Sequence, residues 1–92
     1  MDIHFLKLDS SILTTRCAMT ELIIQFGQNL RAKRKALNIT QDNLALMADL
    51  DRSYVGRIER GESNITLDVL YKLATALHCE PSELLPKQQF NS

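Results

Sequence analysis

Apolar residues recur at helical spacing along the chain from about residue 20 onward. Ile23, Phe26, Leu30 and Leu37 follow one another at the intervals that place side chains on one face of an α-helix. Several cations lie in the last turns of this segment, where positive charge favours the helix dipole: Arg31, Lys33, Arg34 and Lys35. The pattern predicts a first helix over about Thr20 to Ala36, and Asn38 is the residue that terminates it.

Capping residues divide the next part of the chain into two short helices. Thr40 and Asp51 each precede a helical run and carry a side-chain oxygen that can accept a hydrogen bond from the first turn. Gly61 tolerates the left-handed backbone conformation in which many helices end. We therefore predict a second helix over Gln41–Ala48 and a third over Arg52–Arg60, with a tight turn between them.

The same reasoning predicts two more helices. Thr66 is the N-cap of a fourth helix, whose predicted apolar face comprises Leu67, Leu70, Leu73, Ala74 and Leu77. Pro81 suits the first position of a short fifth helix, and Pro86 ends it. No segment has the alternation typical of a strand. We expect an all-α, compact five-helix domain over residues 20–86.

Two terminal segments lie outside this predicted domain. Residues 1–19 form an N-terminal extension without a helix-length apolar stripe, and Met19 directly precedes the first helical pattern. The sequence leaves open whether translation begins at Met1 or Met19. Residues 87–92 form a tail that is polar apart from Phe90 and is expected to fray.

Composition excludes several classes of protein. The 92 residues are 45% hydrophobic and 24% charged, which predicts one packed domain. No run approaches the roughly 20 apolar residues of a membrane span, and no export signal is present, so a cytoplasmic location is expected. The net charge is zero, yet residues 31–60 hold seven cations against four acidic residues. A basic face of this kind can bind a phosphate backbone.

Two short helices joined by a tight turn are typical of a helix-turn-helix unit. The signature residues are Gln41-x-x-Leu44-Ala45-x-x-Ala48-x-Leu50-x-x-Ser53-Tyr54-Val55-x-x-Ile58-Glu59-Arg60-Gly61. Over about residues 24–86 the chain resembles the phage-repressor-like (Cro/C1, XRE) helix-turn-helix family. The run Leu50–Gly61, followed by Asn64, is most similar to the controller proteins of restriction–modification systems.

The third helix carries the predicted base-reading residues. If Val55 faces the core, then an opposite, exposed stripe holds Arg52, Ser53, Gly56 and Arg57. The planar fork of Arg matches guanine O6 and N7 in the major groove. Glycine inside a helix costs roughly 1 kcal/mol relative to alanine, so Gly56 indicates close approach of a partner. The alternative to base contact is that Arg52 and Arg57 are surface residues that contact only solvent.

A second set of residues is predicted to bind phosphates: Gln41, Thr40, Tyr54, Asn64 and Arg60. The resemblance implies the role of Gln41 and that of Asn64, although Asn64 also suits a turn. Tyr54 can instead pack against its own domain. Arg60 can instead be a solvated surface residue.

The resemblance also implies three structural features. Arg34 and Glu59 form an ion pair that links the first and third helices. Tyr71, Leu85 and Phe90 are the apolar residues assigned to a homodimer interface. Asp49 and His78 stand where the family usually has glycine, which predicts local strain. Separately, we expect Leu46 and Met47 to pack within the domain.

The predicted function is that of a sequence-specific transcriptional regulator, a homodimer on a pseudo-palindromic operator in duplex DNA. The alternatives are a phage-type or general XRE repressor and an antitoxin-like protein-interaction module on the same fold. A zinc site built from His4, Cys17, His78 and Cys79 has unsuitable spacing. No catalytic arrangement is evident, so we expect no enzyme activity, cofactor, metal or small-molecule substrate.

Overall fold

The computed structural model describes residues 20–87, and these residues form five helices and no strand. Helix α1 spans residues 20–36. It is followed by α2 (Gln41–Ala48), α3 (Arg52–Glu59), α4 (Leu67–Ala76) and α5 (Pro81–Leu84). The predicted all-α fold is confirmed, and α3 ends one residue earlier than predicted. Phe90 and the extension over residues 1–19 lie outside the described residues.

The three predicted N-caps are present. Thr40 Oγ1 accepts a hydrogen bond from the backbone N–H of Asn43 at 3.1 Å. Asp51 Oδ1 accepts one from the N–H of Ser53 at 3.1 Å, and Thr66 Oγ1 accepts one from the third residue of α4 at 3.2 Å. These bonds satisfy amides that have no partner within their own helix, and they fix where α2, α3 and α4 begin.

Three non-glycine residues end helices in the left-handed conformation. Asn38 and Asp49 have φ of 58°, and His78 has φ of 53°, while Gly61 has φ of 73°. Asp49 stands in the turn between α2 and α3, so the strain predicted there is located in the helix-turn-helix unit itself. A left-handed conformation costs a residue with a side chain about 1–2 kcal/mol relative to glycine, with Asn and Asp tolerating it best.

The core lies between the helices and is almost entirely aliphatic. Its fully buried large side chains come from every helix: Leu30, Leu44, Val55, Ile58, Leu73, Leu77 and Leu84. The prediction for the apolar face of α4 is wrong at one position, because Leu67 is 74% exposed. Val69 is buried instead. Leu67 is the first residue of α4, beyond the end of the core.

The prediction that Leu46 and Met47 pack within the domain is also wrong. They are 79% and 49% exposed, respectively. The buried face of α2 consists of Leu44, Ala45 and Ala48. Since successive helical residues are rotated by about 100°, this narrow face leaves the two residues between Ala45 and Ala48 directed away from it.

Close contacts fix α1 against α3 and α5. A Cβ added at Gly27 would lie 2.8 Å from the carbonyl oxygen of Glu59, so the backbones of α1 and α3 approach too closely for a side chain. Asn29 Nδ2 donates hydrogen bonds to the carbonyl oxygens of Leu84 and Leu85 at 3.1 and 3.3 Å. Helix α1 therefore supports both α3 and the end of α5.

A surface ion pair adds to the contact between α1 and α5. Lys33 Nζ donates to Glu83 Oε1 at 3.0 Å, and Glu83 Oε2 accepts from the N–H of Glu80 at 2.9 Å. The hydrogen bond from the backbone N–H of Glu80 is the main cause that lowers the pKa of Glu83 below its ordinary value, and the hydrogen bond from Lys33 lowers it further. The hydrogen bond to Glu83 raises the pKa of Lys33. Glu83 is therefore stabilised as a carboxylate in the folded protein, and its protonation weakens the fold.

Candidate nucleic-acid interface

Helix α3 has one buried and one exposed face. Val55 and Ile58 are 0% and 1% exposed and anchor the helix in the core. Arg52, Ser53 and Arg57 are exposed on the other side. This division follows from the sequence, because the apolar residues of α3 recur at i and i+3. The helix therefore presents two guanidinium groups and a hydroxyl group to solvent.

A shallow groove runs between the start of α2 and the exposed face of α3. The following residues line it: Gln41, Asp42, Arg52, Ser53, Gly56, Arg57 and Arg60. The four predicted base-reading residues and two of the predicted phosphate-binding residues thus meet in one surface. We refer to this surface as the α2–α3 groove.

The expectation that Gly56 is exposed is wrong, because Gly56 is buried at the floor of the α2–α3 groove. A Cβ added there would lie 3.1 Å from Arg60 Nη1 and 3.7 Å from Gln41 Oε1. These two side chains extend over the glycine and cover it. Because glycine has no side chain, Gly56 leaves room for the side chains of Arg60 and Gln41 in the free protein. Helical periodicity alone does not reveal this role.

The three arginines of the groove have different partners. Arg52 Nη1 lies 3.1 Å from Asp42 Oδ2, and both side chains are largely exposed. The Nε of Arg60 lies 3.1 Å from a carboxylate oxygen of Glu62. Arg57 lies over the ring of Tyr54, with its guanidinium carbon 5.7 Å from the ring centroid. Sequence reasoning missed Asp42, whose only signal is its acidic charge in the first turn of α2.

Among residues 20–87, Arg57 forms no ion pair, so its full charge is available to a ligand. The negative face of the Tyr54 ring attracts the guanidinium group of Arg57. Tyr54 is itself half-buried against the core and donates from its hydroxyl group to the carbonyl oxygen of Asn64 at 3.1 Å. Tyr54 thus takes the alternative packing role, and its hydroxyl oxygen still has lone pairs to accept a further hydrogen bond.

The remaining phosphate candidates are Thr40, Asn64 and Gln41, of which Gln41 lines the groove. Thr40 and Asn64 are exposed. Asn64 Oδ1 accepts from the N–H of Ile65 at 2.9 Å, which is the expected turn role and leaves its Nδ2 as a donor. Gln41 Nε2 donates to Glu59 Oε1 at 2.9 Å. That bond fixes the side chain of Gln41 at the start of α2.

The predicted ion pair between Arg34 and Glu59 is present and buried. Arg34 Nε and Nη2 donate to the two carboxylate oxygens of Glu59 at 2.6 and 2.9 Å. Arg34 Nη1 donates to the carbonyl oxygen of Ile39 at 2.8 Å. The hydrogen bonds to Glu59 raise the pKa of Arg34. Together with Gln41, this network connects α1, the start of α2 and the end of α3.

Two residues assigned to a homodimer interface lie within the described part of the chain. Tyr71 is 58% exposed and Leu85 is 42% exposed. Both lie off the core face, as expected. His78 is exposed and Cys79 is half-buried beside it, where burial is the main cause that raises the pKa of the thiol. His4 and Cys17, the other residues of the zinc alternative, lie outside the described residues.

No helix between residues 20 and 87 has the length and apolar character needed to span a bilayer. In the same range, no three His, Cys, Asp or Glu side chains come together in a group that could bind a metal ion. The polar groups that line the α2–α3 groove are three guanidinium groups, the hydroxyl group of Ser53, the amide of Gln41 and the carboxylate of Asp42.

The fold and the α2–α3 groove define a helix-turn-helix protein. The profile of the family described as "Helix-turn-helix" matches residues 30–84, and the chain belongs to this family.

Restriction–modification controllers are among its relatives. The chain is 41% identical to control protein C.SmaI of Serratia marcescens over 62 residues, which are 67% of this chain and 74% of C.SmaI. It is 43% identical to C.BamHI of Bacillus amyloliquefaciens over 61 residues, 65% of this chain and 75% of that protein. The crystal structure of controller C.AhdI from Aeromonas hydrophila matches with a TM-score of 0.68 and 51% identity, covering 68% of this chain and 96% of C.AhdI. The resemblance to controller proteins is confirmed.

The phage repressors are relatives as well. The immunity repressor of Bacillus phage phi105 is 39% identical over 62 residues, 67% of this chain and 43% of that protein. The P22 c2 repressor, crystallised with a synthetic operator, matches with a TM-score of 0.61 and 35% identity, covering 65% of this chain and 91% of the repressor.

Proposed function

We propose that this protein is a sequence-specific transcriptional regulator that binds duplex DNA through the α2–α3 groove. One observation carries the proposal: α3 is anchored by Val55 and Ile58 and exposes Arg52, Ser53 and Arg57 on its opposite face. A helix of this diameter fits the major groove of B-DNA, and arginine matches the acceptors of guanine. The assigned role is binding, without a catalytic step or a cofactor.

In this arrangement the bases and the backbone are bound by different residues. Arg52 and Arg57 donate to guanine O6 and N7, and Ser53 contacts a neighbouring base edge. Phosphates on either side of the groove are bound by hydroxyl, amide and guanidinium donors from Thr40, Gln41, Asn64 and Arg60. Tyr54 joins them only if its hydroxyl group turns away from the carbonyl oxygen of Asn64. The buried ion pair between α1 and α3 holds these two sets in register.

The protein acts as a homodimer in this proposal. A single α3 of eight residues reads too few base pairs to define one site in a genome. Two copies related by a two-fold axis would place their α3 helices in successive major grooves, about 34 Å apart. The exposed side chains of Tyr71 and Leu85 support an interface formed by α4 and the end of α5, with Phe90 as an additional apolar contact.

Within this class, we assign the protein to the control of a restriction–modification system. The support is its similarity to C.SmaI, C.BamHI and C.AhdI. A phage-type repressor is the second candidate, supported by the similarity to the repressors of phi105 and P22. The neighbouring genes separate the two: genes for a methyltransferase and an endonuclease support the controller, whereas phage genes support the repressor.

Selection from a library of random duplexes tests the proposed DNA binding and determines the operator sequence in the same experiment. The purified full chain is bound to the library at moderate salt, and retained duplexes are sequenced after successive rounds. The expected result is a two-fold-symmetric site with half-sites one helical turn apart. A gel shift then compares the selected duplex with a scrambled duplex of the same composition.

A protein-interaction module on the same fold is the competing function, and the exposed side chains of Leu46 and Met47 favour it. That function predicts no enriched sequence and equal, weak binding to the selected and scrambled duplexes. Such a result would refute the proposed regulator.

A further inference from the structure

An acidic residue lines the groove that is proposed to receive DNA. Of the residues that line the α2–α3 groove, Asp42 alone is acidic. Its carboxylate lies 3.1 Å from Arg52 Nη1, and its side chain is 64% exposed. A carboxylate close to a phosphate backbone opposes binding, because duplex DNA carries a dense negative charge. The proposed function by itself does not account for Asp42.

The hydrogen-bonding groups of Arg52 allow a second partner. A guanidinium group has five N–H donors in a planar fork, and Asp42 receives one of them, from Nη1. Guanine requires two donors, one for O6 and one for N7. Arg52 can therefore bind Asp42 and guanine at the same time, with the carboxylate on one edge of the guanidinium plane and the base on another.

The contact with Asp42 restricts Arg52, which is otherwise a long and mobile side chain. Arg52 is the first residue of α3 and is 73% exposed in its side chain, so nothing in the core fixes its rotamer. Ordering such a side chain on binding costs about 0.5–1.5 kcal/mol. Asp42 on α2 already holds the guanidinium group of Arg52 in the free protein. It therefore lowers the cost of ordering this side chain when DNA binds, provided that the base accepts Arg52 in that conformation.

We propose that Asp42 is a positioning residue for base recognition: it orients the guanidinium of Arg52 toward guanine and lowers the affinity of the groove for phosphates in the wrong register. This inference rests on the proposed function. Asp42 acts through Arg52 and touches no base. Its effect is to increase the ratio of specific to nonspecific affinity, while it contributes little to the stability of the fold because the pair is exposed.

The test uses the full chain with Asp42→Asn, which keeps the shape of the side chain and removes its charge. Affinity is measured for the selected duplex, for the scrambled duplex, and for selected duplexes in which each guanine of a half-site is replaced in turn by 7-deazaguanine. This base lacks the N7 acceptor. Each titration is repeated over a range of salt concentrations.

The chain offers a matched control in Asp68→Asn. Asp68 is the second residue of α4, as Asp42 is of α2, and both helices have a threonine N-cap. Asp68 is also exposed and lies 3.4 Å from a cation, Lys72 Nζ. It lies outside the α2–α3 groove. Effects of a first-turn carboxylate on the helix dipole are therefore similar in the two variants. Because Asp68 shares a surface of α4 with Tyr71, sedimentation first checks that Asp68→Asn and Asp42→Asn assemble as the wild type does. A remaining difference in DNA binding between the two variants then comes from the groove.

Three changes are expected for Asp42→Asn and not for Asp68→Asn. The penalty for 7-deazaguanine at the position read by Arg52 falls roughly threefold to tenfold, since coupling between contacting side chains commonly has this size. Affinity for the scrambled duplex rises. The slope of log K against log salt on that duplex steepens by about 0.9 for each phosphate that Arg52 gains.

Three results would overturn the inference. If Asp42→Asn behaves like Asp68→Asn, the pair has no role in recognition. If Asp42→Asn binds the selected duplex more tightly and keeps the full 7-deazaguanine penalty, the carboxylate only competes with DNA for Arg52. If Arg52→Ala keeps the full penalty at every guanine, then Arg52 reads no base, and both the inference and the proposed role of Arg52 fail.

Discussion

Replacing Glu59 by Gln removes the negative charge from a buried network and keeps the shape of the side chain. The Glu59 carboxylate accepts three hydrogen bonds, two from Arg34 and one from Gln41. The side chains of Arg34 and Glu59 are only 10% and 2% exposed. The variant therefore leaves a guanidinium group buried without a counter-charge, and places an amide N–H₂ group against donors.

The expected loss is large relative to the stability of the domain. Breaking a buried pair by removing one partner costs about 3–5 kcal/mol, because the remaining charge stays desolvated. Small domains have a total stability of about 5–15 kcal/mol. Glu59→Gln should therefore lose about a fifth or more of the free energy of unfolding, and it should loosen Gln41 at the edge of the groove.

Urea unfolding at neutral pH, followed by far-ultraviolet circular dichroism, measures this loss. The double variant Arg34→Met with Glu59→Met removes both charges and should be closer in stability to the wild type than Glu59→Gln is, since no buried charge is left unpaired. The reasoning is refuted if Glu59→Gln costs less than about 1 kcal/mol, the value typical of an exposed ion pair. It is also refuted if the effects of Arg34→Met and Glu59→Met simply add.

Three further predictions concern packing, pH and assembly. Gly27→Ala should destabilise the domain by about 1–3 kcal/mol, because its Cβ would overlap the backbone of α3; an unchanged urea midpoint would contradict this close approach. The lowered pKa of Glu83 adds stability that is fully present above its ordinary pKa of 4.5 and is lost as the pH falls through the folded-state value. Glu83→Gln should thus be less stable than wild type at neutral pH, and the two urea midpoints should converge in acid; a constant difference at all pH values would exclude this linkage. Tyr71→Asp and Leu85→Asp should sediment as monomers, and a dimer that persists in both variants would move the interface elsewhere.

The sequence predicted the helices well because their ends are set by local chemistry. Thr40, Asp51 and Thr66 form the predicted cap hydrogen bonds with the first turns that follow them. The left-handed conformation of Asp49 was expected from the family resemblance, because Asp49 stands where the family usually has glycine. The buried pair of Arg34 and Glu59 came from the family resemblance, because no local pattern joins residues that are 25 positions apart.

Features that depend on neighbouring helices were not predicted. Leu46 and Leu67 are as apolar as the core leucines, and only the arrangement of α2 and α4 shows that they are exposed. Gly56 lies on the predicted side of α3, yet two side chains cover it. The contact of Asp42 with Arg52 joins different helices through two flexible side chains, and neither residue alone indicates the other.

The central claim is that the exposed face of α3 reads base edges, and Arg57→Ala tests it most directly. Arg57 has no carboxylate partner among the described residues, so its removal leaves no charge unpaired. Dissociation constants are measured for this variant and the wild type on the selected and scrambled duplexes at one salt concentration. The variant should lose about 1–3 kcal/mol of binding free energy on the selected duplex and far less on the scrambled one. Equal losses on both duplexes would show that Arg57 contacts only phosphates and would contradict the account.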